Sequence, residues 1–177
     1  LCVELDNPSE GVRLAVVHAL SEIGGPDAAG ALVRVWDDRD ERVRDAAQAA
    51  LAAMSPEERS AGAEIAKDVD DRWLPGVVSQ AKDPSHPRRR SVALDLLASV
   101  NDDVTTEALL SALGSDQAEP QRAALRALVA RGDAAAAPAI EAVLGRAPDP
   151  DVRRQAAEAL AAIGKEDAVT PLSVLLL

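Results

Sequence analysis

At 177 residues the chain is long enough to bury a core, either as one domain or as a short repeat array. Its composition is one-sided: 47% hydrophobic, thirty-seven alanines, no Phe or Tyr, Trp36 and Trp73 as the sole aromatics, and a formal charge of −11. A sheet protein would need aromatic and β-branched residues in period two and a membrane span roughly 20 apolar residues in a row, and neither is present; a nucleic-acid binder would need a basic surface, which the net charge opposes despite Arg88-Arg89-Arg90.

Alanine has the highest helix propensity and lets helix axes approach closely, so the composition predicts an all-α protein. Residues 12–24 (VRLAVVHALSEIG) carry apolar side chains at helical spacing and close on a glycine. The same layout returns at 43–54, more loosely at 89–97 and 121–128, and most completely at 149–164, DPDVRRQAAEALAAIG. An Asp-Pro pair opens that last stretch. Aligned on Leu20, Leu51, Leu97, Leu128 and Leu160, the copies step by 31, 46, 31 and 32 residues. A recurring step near 31 marks a helical array.

Second helices are expected at about 26–36, 56–69, 103–113, 134–144 and 167–176, each announced by Gly, Pro, Asp or Ser. The long step of 46 holds one additional short helix near 70–81, interrupted by Pro75-Gly76. The total is eleven helices: five pairs and one extra. The units run at about 6–37, 38–82, 83–114, 115–146 and 147–177, as a single array over 1–177.

The pattern Asp-Pro-x-Val-Arg-x-x-Ala-x-x-Ala-Leu-x-x-Ile-Gly, followed by a shorter helix, resembles the HEAT-repeat family, in particular the short HEAT-like repeats of phycobilisome bilin lyases. Pro120 stands where the pattern has Val, and Arg131 where it has Ile. The resemblance implies an α-solenoid of about five antiparallel helix pairs wound into a right-handed superhelix. It also implies a concave face lined by second helices and commonly used to bind proteins.

Arg13, Arg44, Arg90, Arg122 and Arg153 recur near the starts of the first helices. They could form an anion ladder. The favoured reading pairs each with an inter-repeat aspartate such as Asp6, Asp40, Asp83, Asp116 or Asp149, which would tie neighbouring units together. Arg88-Arg89-Arg90 reads as a solvated charge run, with a small phosphate contact as its alternative. His18 falls where other copies carry Asp95, Arg126 and Glu158, which makes it solvent-facing, and His86 sits in a loop. One cysteine and two separated histidines offer no metal-ligand spacing, and neither a nucleophile elbow nor a Gly-rich phosphate loop is present. No catalytic residue, metal or cofactor is therefore expected.

The irregular unit carries the most distinctive contact residues. Asp68, Asp70 and Asp71 cluster with Arg72 and Trp73, a Trp ringed by charge being a usual interface anchor. Against this, a large apolar residue in a helical array more often fills core, which is the favoured role for Trp73. The same weighing applies to Trp36 beside Asp37-Asp38.

The functional expectation is a non-catalytic protein-interaction scaffold that binds a protein partner, or another domain of its parent chain, through its second-helix face. A subunit of a bilin lyase or isomerase is the alternative. A HEAT-like DNA glycosylase is disfavoured because it would want a basic concave face and aromatic residues. The single cysteine permits no intramolecular disulfide, and a cytoplasmic setting is favoured. The run Leu172–Leu177 is too apolar for a solvent-facing end, so the array is expected to continue in a larger protein or pack on another copy.

Overall fold

The structure is a computed structural model and describes residues 2–163. These residues form ten α-helices and short 3-10 turns, with no strand among them. The helices are α1 Glu10–Ile23, α2 Gly25–Arg34, α3 Glu41–Ala53, α4 Pro56–Val69, α5 Leu74–Lys82, α6 Pro87–Leu96, α7 Asp103–Leu113, α8 Ala118–Arg131, α9 Ala137–Arg146 and α10 Pro150–Ile163. The architecture is an all-α solenoid. The second helix expected at 167–176 and the apolar run 172–177 lie outside the described residues.

Local chemistry sets the boundaries. Asp40 caps α3 by accepting from the backbone N–H groups of Arg42 and Val43. Ser55 and Glu58 form a reciprocal capping box at the start of α4, as Asp102 and Thr105 do at α7, so orphan N–H groups of each first turn are satisfied. Proline opens α2, α4, α5 and α6, where its missing N–H costs nothing. Gly132 closes α8 at φ +63°, a left-handed conformation that only glycine adopts without strain. Trp36 lies in the turn beyond α2, not within the helix.

First helices stack in the order α1, α3, α6, α8, α10, and α5, α7 and α9 make a row of second helices beside them. The reference leucines Leu20, Leu51, Leu97, Leu128 and Leu160 are all buried along this stack. The regular alternation breaks at α4. It lies along α2 and also packs on α6, while α5 takes the place of the second helix that precedes α6 and α7. The α2–α4 contact is made backbone to backbone: a Cβ on Gly62 would lie 2.5 Å from the Ala29 Cβ, and one on Gly30 would lie 2.9 Å from the Gly62 carbonyl oxygen. The C-terminal half of α6 is consequently enclosed, and Val92, Ala93, Leu94, Asp95 and Leu96, with Leu97 just beyond, are all buried.

Candidate interaction surfaces

Trp73 and Trp36 are each 2% exposed, so both indoles fill core, the role favoured for them over a partner anchor. The Trp73 indole Nε1–H donates to the Asp70 carbonyl oxygen at 2.9 Å, which satisfies its one polar atom. Around it the charged side chains face outward: Asp68, Asp71 and Arg72 are exposed and Asp70 is half-buried. Arg72 donates to both carboxylate oxygens of Asp70, from Nη2 to Oδ2 at 2.8 Å and from Nε to Oδ1 at 3.1 Å. These bonds, with the Arg72 backbone N–H, hold the Asp70 carboxyl down at about 2. Gly76 in α5 packs closely on Asp37. The structure thus brings Asp70 and Arg72 together over a buried Trp73 and leaves Asp68 and Asp71 free in solvent.

The recurrent arginines do something different from the expected ion-pair ladder. Arg13 Nη1 donates to the Asn7 carbonyl at 2.8 Å, Arg44 Nη1 to that of Asp38 at 2.6 Å, and Arg153 Nη1 to that of Ala147 at 2.7 Å. Arg90 Nε donates to the Ala81 carbonyl at 2.9 Å. Each guanidinium sits on the first turn of its helix and reaches back to carbonyls at the end of the preceding element, which lack helical partners. In α8 the equivalent residue is Gln121, not Arg122: its Nε2 donates to the carbonyls of Ser115 at 2.7 Å and Leu113 at 3.2 Å. Counted from the reference leucines, Gln121 precedes Leu128 by the same interval as Arg13 precedes Leu20, so the register was readable in the sequence. Direct ion pairs between units join Arg13 to Asp38 at 2.8 Å and Arg122 to Asp149 at 3.3 Å. Of the pairings expected, only Arg122–Asp149 forms; Asp6 instead approaches Arg34 at 3.8 Å.

Sequence reasoning missed the buried ionic cluster on α6. Asp95 accepts from Arg59 of α4 at 2.6 Å and from Arg126 of α8 at 2.9 Å. Its side chain is 2% exposed, and burial pushes its carboxyl upward against the pull of the two guanidiniums. The signal lay in Val92–Leu97, which is apolar around the whole helix and so predicts burial of the one carboxylate inside it. His18, by contrast, is exposed at the corresponding place on α1, as its spacing implied.

Two open grooves flank these elements. One, of about 570 Å³, lies over the cluster between α4 and α8, with Glu57 and Glu64 on its rim and Ala98 and Val129 in its lining. The other, of about 500 Å³, lies between the second helices α7 and α9. Leu110, Leu113, Ala139, Ala142 and Val143 give it an apolar floor, with Asp116 and Arg146 as charged lining residues. Among the described residues no group of three or more His, Cys, Asp or Glu side chains could hold a metal ion. No described helix is long and apolar enough to cross a membrane.

The family model for HEAT repeats matches residues 2–52 and 106–177, and the chain belongs to the HEAT-repeat family. The unmatched stretch between them contains α4, α5 and α6, where the helix alternation breaks. A comparison with curated proteins found no match. HEAT repeats are generally protein-interaction scaffolds, and the family is typically non-catalytic.

Proposed function

We propose that this chain is a non-catalytic interaction scaffold that receives a protein partner, or another domain of its parent chain, on the face made by its second helices. The observation that supports this reading is the α7–α9 groove. It is open, floored by apolar side chains, and edged by Leu110, which is 37% exposed although large and apolar. Exposed apolar surface of this kind beside charged residues suits a helix or extended segment that brings its own apolar anchors. The chain's charge of −11 favours a partner segment bearing Lys or Arg beside those anchors. Asp68, Asp71 and Arg72 add a second charged contact at the irregular unit, reached without displacing Trp73.

The test uses the whole chain as bait in parallel with Leu110→Asp and, as a control, Val104→Asp, which alters an exposed residue of the same helix outside the groove. Capture of a defined partner by the wild type and the Val104 variant, with loss in the Leu110 variant, supports the reading. Equal capture by all three overturns the assignment of this face.

A further inference from the structure

The cleft between α3 and the start of α6 differs from the other contacts between first helices at one repeat position. Eight residues before the reference leucine, α3 and α10 place Val43 and Val152, both 0% exposed, and α8 places the buried Pro120. In α6 that position holds Arg89, whose side chain is 43% exposed. A guanidinium cannot fill the apolar seam a valine closes, and here the seam is open as a cleft of about 440 Å³. Arg88, Arg89 and His86 line it together with the apolar Ala49, Ala52 and Pro87.

The cations there are weakly engaged. Arg88 has no hydrogen-bond or ion-pair partner among the described residues, although it lines the cleft. Arg89 reaches only Asp45, at 3.0 Å, with that carboxylate 50% exposed, a pairing that water already screens. His86 Nδ1 lies 3.2 Å from Asp83 Oδ2. Two forked guanidiniums on one wall of a cleft match a compact oxyanion with several acceptor oxygens, and a phosphate monoester offers more of these than a carboxylate. In a chain of charge −11 such a pocket selects a local anion and repels an extended one such as nucleic acid.

We propose that this cleft binds a phosphorylated side chain of a protein partner, with Arg88 and Arg89 holding the phosphate and Ala49, Ala52 and Pro87 contacting the flanking residues. The proposal rests on the reading of the chain as a protein scaffold, but the site is separate from the α7–α9 groove. The test is an amide-resolved NMR titration of the whole chain with inorganic phosphate, a short phosphoserine peptide with apolar flanks, and the same peptide carrying glutamate.

The phosphopeptide is expected to shift the amides of residues 86–90 and Ala49 saturably, and to bind about tenfold more tightly than either inorganic phosphate or the glutamate peptide. Arg88→Ala and Arg89→Ala are each expected to weaken it about fivefold with unchanged helical circular dichroism. The proposal is overturned if no saturable shift occurs at these amides, or if the Arg88, Arg89 double variant binds like the wild type. Inorganic phosphate binding as tightly as the peptide would overturn the assignment to a protein side chain. Because the readout is the amides of this cleft, a negative titration speaks against the cleft alone, whereas failure of the scaffold reading would show in the Leu110→Asp comparison.

Discussion

Arg59 of α4 and Asp95 of α6 meet at 2.6 Å with side-chain exposures of 9% and 2%, a buried ion pair matched in depth by Arg13–Asp38 at 3% and 8%. The Arg59 Nη1 also donates to the carbonyls of Met54 at 2.6 Å and Leu51 at 3.2 Å, so one guanidinium ties three elements together.

Removing either charge strands the other. Asp95→Ala is expected to cost about 3–5 kcal/mol because it leaves Arg59 charged and unpaired in the core. Arg126 is 38% exposed, and Arg126→Ala leaves Arg59 to satisfy Asp95, so a loss of about 1 kcal/mol is expected. Chemical denaturation of the two variants measures this ranking, and equal losses would show that Asp95 is held mainly from α8.

The seam between α2 and α4 depends on the absence of a side chain. Gly62→Ala would set a Cβ 2.5 Å from that of Ala29 and 2.7 Å from the Gly30 nitrogen, and neither atom is the end of a flexible chain. The expected penalty is about 2–3 kcal/mol, read as a lowered Tm. Gly145→Ala, where an added Cβ meets nothing within 4 Å, is the matched control and should be neutral or slightly stabilising.

Trp73→Ala removes the largest side chain of the irregular unit from a site only 2% exposed. A loss of about 3–5 kcal/mol is expected, with the indole hydrogen bond to Asp70 lost as well. A variant with unchanged Tm but weakened partner binding would return Trp73 to the surface role.

Acid sensitivity follows from two depressed carboxyls. Asp83 accepts from the Ser85 backbone N–H at 2.8 Å and lies beside His86, which together hold it at about 2 against an ordinary 3.8. Asp70 is held at about 2 by Arg72. Their folded values lie below the unfolded ones, so the stability they contribute is present above 3.8 and is lost as pH falls toward about 2. Asp95 works in the opposite sense: its raised value favours the folded state at low pH, and that contribution is lost as pH rises through the folded value. Asp70→Asn with Asp83→Asn should flatten the acid limb of a stability–pH curve, and an unchanged limb would assign acid unfolding to other carboxylates.

Much of this architecture was legible because its determinants are local. The Asp149–Gly164 stretch carries its own opening and period, and the Ser55–Glu58 pair marks the start of α4 without reference to any other segment. The additional helix was legible too, although it starts at Leu74 and not near residue 70, because Asp70 turns back to bond Arg72 and Trp73 before the helix begins. The residues that escaped are those whose role depends on distant chain. Asp95 is buried because α4 and α8 both pack on α6, and the apolar run around it hints at burial without naming Arg59 or Arg126 as its partners. The arginine set was misread by one position at Arg122 because Gln121 performs the capping with a neutral amide, and a search for recurring charge passes over it.

Helix α6 has a further consequence for how the array comes apart. In a solenoid whose repeats touch only their neighbours, terminal units can peel away one at a time, since each interface breaks independently. Here Asp95 of α6 binds Arg59 of α4 and Arg126 of α8 at once, so three helices in the middle of the molecule are joined through one carboxylate. Opening α4 or α6 parts Arg59 from Asp95 and strands a charge on the other helix. The central segment should therefore lose its amide protection in a single step, and the first unit, α1 with α2, should exchange earlier and separately.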